Sequence, residues 1–193
     1  MPFNSKEEIF DKMTLDNFII RPITLEDAAD FFQLVENNRP RISTYFPGIV
    51  SVTKTLEETK SQIAERIEGA EKGKYMIYLI VDKPAGKIVG VVQLKDIDFN
   101  ARKREFGFFV DQDFERKGIA TQSILSASDY CFNTLNLNKV FMRIAEENTA
   151  SRRVAEKCGF KVEGVLRNDF MTSEGKLIDI FYYGLLKDEF KGA

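Results

Sequence analysis

FFVDQDFERKGIATQSI, residues Phe108 to Ile124, decides the fold, because a run of strand composition stops there at acidic turn residues and restarts as a helix through a single glycine. The preceding Glu105 to Val110 is aromatic and β-branched, as a strand is. From Ile119 onward Ala120, Ile124, Ala127, Cys131 and Leu135 recur at the three- and four-residue spacing of one helix face. A helix starting at Gly118 aims its unbonded N–H groups and the positive end of its dipole back into the turn, and a glycine lets a ligand approach the backbone without meeting a Cβ. Arg116 and Lys117 add two cations, so the turn reads as a pocket for a diphosphate, although an ordinary strand-to-helix connection has the same signature. The P-loop spacing G-x-x-x-x-G-K-[ST] is absent, since Gly118 follows Lys117 instead of preceding it.

The chain has 193 residues, 44% hydrophobic content and 17 phenylalanines, enough for one substantial core. A formal net charge of −2 gives no reason to expect direct binding of nucleic acid or of an anionic membrane. The basic ARKR cluster, Arg102 to Arg104, is expected to be a solvated hairpin loop. Two cysteines, Cys131 and Cys158, each fall on an apolar helix face and imply no disulfide framework; with no histidine, no zinc or other metal site is expected. The charged MPFNSKEEIF start has no apolar core of the signal-peptide kind, and no apolar run is long enough to span a bilayer, so the expected location is cytoplasmic.

Along the chain, residues 1 to 13 read as a frayed or docking segment, followed by a single domain over 14–190. Phe18 to Arg21 is expected to be a strand stopped by Pro22. Thr24 with Asp27 should cap a helix burying Leu25, Ala28, Phe32 and Val35 and ending at NNRP. Residues 40–53 and 166–177 read as loops, and Tyr45, Phe46 and Pro47 are candidates for a substrate mouth. Thr55 with Glu58 opens a second helix. YMIYLIVD, IVGVVQLKDI and KREFGFFV form an antiparallel meander, in which Gly107 marks either a bulge or room for a packed phenylalanine. After the organising helix come the strand KVFMRIA and the helix NTASRRVAEKC, with Asn148 as N-cap, Ala150, Val154 and Cys158 facing inward, and Gly159 as a left-handed C-cap.

Several motifs in order, namely IIRPITLEDAADFF, Glu115 to Ala120, NxxS at Asn148 to Ser151, EKCGFKVEGVLRND and IDIFYYGLL, resemble the GNAT superfamily of N-acetyltransferases, and in particular its branch acting on ribosomal-protein N-termini. The family's pyrophosphate-loop pattern is Q/R-x-x-G-x-G/A, and Glu115 departs from it at the first position. The resemblance implies an α+β GNAT fold: a mixed, mostly antiparallel sheet splayed at its centre, with helices on both faces. It also implies acetyl-CoA as co-substrate, held by Arg116, Lys117, Gly118, Ile119, Ala120 and Thr121 in the loop. Backbone amides near Phe109 and Val110 would meet the pantetheine arm and the thioester oxygen, Asn148 would fix the arm, and Ser151 would protonate the leaving thiolate. A monomer or homodimer is expected.

Acyl transfer to an amine needs a neutral amine, donors for the carbonyl oxygen and a proton for the thiolate. Histidine is excluded as the base, which leaves Glu105, Asp169, Asp179 or water leading to one of them. An unperturbed α-amine has a pKa of about 8 and a lysine one of about 10.4, so on the order of one in ten α-amines is neutral at pH 7 against roughly one in a few thousand lysines. A site without a strong base therefore favours a protein N-terminal α-amine as acceptor. A small amine such as a polyamine, amino acid or antibiotic is the alternative, and a CoA-binding module without catalysis is a third reading.

Overall fold

Five α-helices and one eight-stranded sheet make up the computed structural model, which describes residues 12–98 and 100–192. The strands are β1 (Met13–Thr14), β2 (Phe18–Pro22), β3 (Met76–Asp82), β4 (Ile88–Asp98), β5 (Lys103–Val110), β6 (Lys139–Ala145), β7 (Lys161–Met171) and β8 (Leu177–Leu186). The helices are α1 (Ala28–Ile42), α2 (Pro47–Val50), α3 (Leu56–Glu71), α4 (Ile119–Asp129) and α5 (Thr149–Lys157). The sheet order is β1-β2-β3-β4-β5-β6-β8-β7, antiparallel throughout except where β5 meets β6. Parallel neighbours need a crossover, and α4 supplies it.

That one parallel contact is short. Lys103, Arg104 and Glu105 pair with Lys139, Val140 and Phe141, and beyond them β5 stays with β4 while β6 stays with β8. The sheet is thus split at its centre, as the resemblance implied. Helices cover both faces: α4 and α5 pack with Phe106, Phe108 and Val110, while α1 and α3 pack with Leu79, Val91 and Phe109. Alternation along β5 sends successive side chains into the two cores, and each large apolar residue so buried stabilises the fold by about 1.5–3 kcal/mol.

Several local expectations need correction. Of the stripe expected on α1, Leu25 is 52% exposed and Phe32 half-buried, while Phe31 and Leu34 take the interior positions. The helix runs through Pro40 to Ile42 instead of ending at NNRP. Arg39 ties this last turn down, pairing with Glu36 and donating to the carbonyls of Val50 (2.9 Å) and Thr53. Within 40–53, α2 replaces part of the expected loop, and within 166–177 strand β7 continues to Met171. Gly107 sits in regular register opposite Gln93; the ladder slips further along, between Lys95 and Asp98. Arg104 is fully buried, donating to the Met76 sulfur (3.0 Å) and the Gly73 carbonyl (2.9 Å), so only the start of ARKR is exposed. Ala150 is exposed and Ala155 fills the core in its place. Met13 lies in β1; the rest of the expected frayed segment, up to residue 11, lies outside the described residues.

Caps behave as their chemistry predicts. Thr55 accepts from the Glu58 N–H (3.1 Å) while Glu58 accepts from the Thr55 N–H (3.2 Å), a reciprocal box at the start of α3. Asp27 accepts from the Thr24 N–H (2.8 Å) and binds Arg21 with both oxygens (2.7 and 2.6 Å). The outer strand β7 is exposed along most of its length and slips register against β8 between Leu166 and Phe170, where Asn168 adopts φ +52° and donates its N–H to Asp179 (2.9 Å). Among the described residues no helix is long and apolar enough to cross a membrane.

Candidate active site

The split between β5 and β6 opens into a cavity of about 300 Å³. Its walls are Glu105 to Phe108 on one side and Met142 to Ala145 on the other, with Asn148 and Ser151 at the start of α5. The segment Tyr45 to Ile49 closes it from the α1 side, so the three residues read as a substrate mouth do line it. Phe46 packs edge-on against Phe109 with ring centroids 5.4 Å apart, which anchors that segment to the sheet. Burial first, and the charge of Glu147 second, push the Tyr45 phenol above its ordinary pKa, so it stays a neutral hydroxyl at physiological pH.

Which amides face the split follows from strand alternation. Asp111 donates its N–H to Val89 on β4 (2.8 Å), so Phe109, two residues earlier, also turns toward β4, and its carbonyl lies against Gly90 there. Phe108 and Val110 turn their amides to the other side, where the β5–β6 ladder has already ended. Of the two amides expected there, that of Val110 faces the split, while Phe109 turns its own toward β4 and contributes a ring to the α1 face; Phe108 is the other residue of this stretch whose amide faces the split.

Beyond Val110 the chain makes one tight turn, Gln112 to Phe114, and enters α4 through two left-handed residues, Arg116 (φ +61°) and Gly118 (φ +77°). The first helical bond of α4 runs from Gln122 to Gly118, so the N–H groups of Ile119, Ala120 and Thr121 precede any intrahelical partner and point into the turn. Ile119 is buried and pins the helix start to the core, while Lys117 lies over the Phe114 ring (4.4 Å) and donates to the Asp113 carbonyl (3.0 Å). Amides, a helix dipole and two cations belong to one loop between the end of β5 and the start of α4, a set that suits a diphosphate. Glu115, the departure from the family pattern, is paired with Arg41 of α1.

At the other wall Asn148 caps α5, accepting from the Ser151 N–H (3.1 Å), and this places Ser151 at the cavity. Two of the candidate bases are brought together and one is not. Glu105 is buried and receives Lys95 (2.9 Å) on one oxygen and Arg143 (3.0 Å) on the other. Arg143 also reaches toward Asp169 (3.8 Å), which is itself exposed. Asp179 serves the Asn168 backbone in the β7–β8 register slip. Among the described residues no group of three or more His, Cys, Asp or Glu is placed to hold a metal ion.

Residues that reading the sequence passed over are Arg41, Arg66, Gln93, Lys95 and Arg143, four of which line the cavity. A signal existed for two of them: in the otherwise apolar IVGVVQLK, Gln93 and Lys95 sit two apart, hence on one face of β4.

A family model described as "Acetyltransferase (GNAT) domain" matches residues 17–161. A Bacillus subtilis protein provisionally named as a ribosomal N-acetyltransferase, YdaF, is 33% identical over 184 residues, covering 92% of this chain and 95% of its own. The spermidine N(1)-acetyltransferase of Escherichia coli K12 is 35% identical over 154 residues, 80% of this chain and 78% of its own. Among solved structures, the ribosomal L7/L12 α-N-protein acetyltransferase RimL in complex with coenzyme A superposes with a TM-score of 0.83 at 20% identity, covering 91% of this chain and 98% of its own.

Proposed function

This chain belongs to the GNAT acetyltransferase family and is an acetyl-CoA-dependent N-acetyltransferase, and from that premise we propose that its acceptor is the α-amine of a protein N-terminus. The observation that carries the acceptor is the state of Glu105, the one carboxylate lining the cavity among the described residues. Both its oxygens are engaged by cations, so it competes poorly for a substrate proton. An amine that is already neutral in useful amount suits such a site, and an α-amine meets that condition at pH 7 where a lysine does not.

In the proposed reaction the Gly118 loop holds the diphosphate of acetyl-CoA and the pantetheine arm lies in the split. The α-amine lone pair attacks the thioester carbonyl carbon, and the amides of Phe108 and Val110 stabilise the oxygen as it gains charge. The C–S bond then breaks with its electron pair on sulfur, Ser151 gives its hydroxyl proton to that thiolate, and the proton shed by nitrogen passes through water to restore the Ser151 hydroxyl. Asn148 acts by fixing the first turn of α5, and Asp169 acts through Arg143.

The kinship with spermidine acetyltransferases supports a second reading, a small polyamine acceptor. Acetyl-CoA consumption with N-terminal peptides, an internal-lysine peptide and spermidine decides between them. For a peptide acceptor, kcat/KM should rise with pH to a plateau near the peptide's own α-amine pKa. Turnover of spermidine without turnover of any free α-amine peptide would replace the first reading by the second.

A further inference from the structure

Opposite Gly107 on β4 stands Gln93, 3% exposed, with an amide nitrogen that has no hydrogen-bond partner among the described residues. Its amide oxygen lies close to Gly107, where an added Cβ would come within 3.3 Å, so the glycine leaves this side chain its place. A buried N–H donor without a partner is costly unless something arrives to accept from it, and Gln93 lines the cavity. The same wall is cationic: among the described residues Arg66, Lys95 and Arg143 line the cavity against a single carboxylate, Glu105. Arg66 lies over the Tyr75 ring (4.4 Å) on the α3 side, away from the diphosphate loop.

Resting on the peptide reading above, we propose that this wall is an acceptor subsite for acidic N-termini. The orphaned Gln93 amide donates to the first peptide carbonyl, and Arg66 with Lys95 and Arg143 receives a carboxylate at the second or third residue. The charge pattern has two consequences. A polycation meets like charge on the wall and binds poorly, and an α-ammonium brought beside three cations loses its proton more readily, which supplies the neutral nucleophile that the site has no strong base to make.

The test compares kcat/KM for two N-terminal peptides that differ only in carrying Asp or Lys at residues two and three, in the wild-type protein and in Arg66→Glu and Gln93→Leu. Wild type should favour the acidic peptide by about tenfold or more at low salt, with the preference shrinking as salt is added. Arg66→Glu, at a partly exposed position that the fold tolerates, should cut the preference at least about threefold. Gln93→Leu should raise KM for both peptides by roughly tenfold with acetyl-CoA affinity by calorimetry unchanged. Equal use of the two peptides by wild type, or a preference untouched in Arg66→Glu, would overturn the subsite while leaving N-terminal acetylation standing. Spermidine turnover with no peptide turnover would overturn both.

Discussion

Arg41 on α1 and Glu115 in the turn before α4 are paired although 74 residues separate them, and the same guanidinium donates to the Val110 carbonyl and to the Asn38 side chain (2.9 Å). One cation thus ties the α1 face, the end of β5 and the proposed diphosphate loop together. It also neutralises Glu115, an acidic side chain of that loop whose charge would oppose an anionic ligand. Arg41→Met should leave the protein folded and raise the dissociation constant for CoA by about five- to tenfold, because Glu115 is released beside the diphosphate. Titration calorimetry measures it; unchanged CoA affinity would place the pair outside the binding loop.

Gly118 tests the loop by a different route. An added Cβ there would find only the Gln122 side-chain nitrogen, at 4.0 Å, so space is not what selects glycine. The backbone is: φ is +77°, and a β-branched residue in that region is strained by about 1–2 kcal/mol or more. Gly118→Val should lower the unfolding free energy by about that amount and weaken CoA binding, while Gly118→Asn, which tolerates the left-handed region, should retain most of both. Full CoA affinity in a folded valine variant would remove the diphosphate from this turn.

For Ser151 the expected signature is kinetic. Its hydroxyl is proposed to act only as the C–S bond breaks, so Ser151→Ala should lower kcat by at least about tenfold with little change in the acetyl-CoA KM. Its backbone N–H, which satisfies Asn148, survives the substitution, so α5 keeps its cap. Wild-type turnover would assign the residue to structure alone.

Acid stability should report on Arg21 and Asp27. Burial alone would raise the Asp27 pKa, but the two-point bond from Arg21 and the Thr24 N–H outweigh it and hold the carboxyl below its ordinary value. A depressed folded-state pKa stabilises the protein at every pH above the unfolded value of about 3.9, and that stabilisation fades as pH falls through the folded value. Asp27→Asn should therefore cost about 2 kcal/mol at pH 7 by urea unfolding, with the gap to wild type closing below about pH 4. A gap of the same size at pH 3 would show that the carboxylate charge is not its source.

The elements around the organising stretch were legible because they obey a single period. Lys103 to Val110 alternates between two cores, and Ile124, Ala127 and Cys131 repeat at helical spacing, so β5, the turn and α4 follow from local pattern alone. What stayed hidden depends on distant partners. Pro40 reads as a helix end, yet the helix continues past it with the side chain of Arg39 bonded to carbonyls 11 and 14 residues on, partners that no local pattern announces. Arg104 reads as surface until Met76 and Gly73 supply it with a buried socket. The site divides in the same way: a glycine at a helix start announces itself, whereas Arg143 joins Glu105 to Asp169 only once β6 and β7 have been brought to one end of the sheet.

The register slip in β7 bears on how the protein survives at high concentration. An outer strand with Val162, Val165 and Leu166 about half exposed would serve as a template onto which further chains could add without end. Two residues more on β7 than on β8 between Leu166 and Phe170, with Asn168 held left-handed by Asp179, break the straight row of backbone groups that such growth requires. The kink that looks like an imperfection in the hairpin thus interrupts the row of backbone groups that edge-to-edge growth needs, and a variant that restores straight pairing there is expected to aggregate more readily.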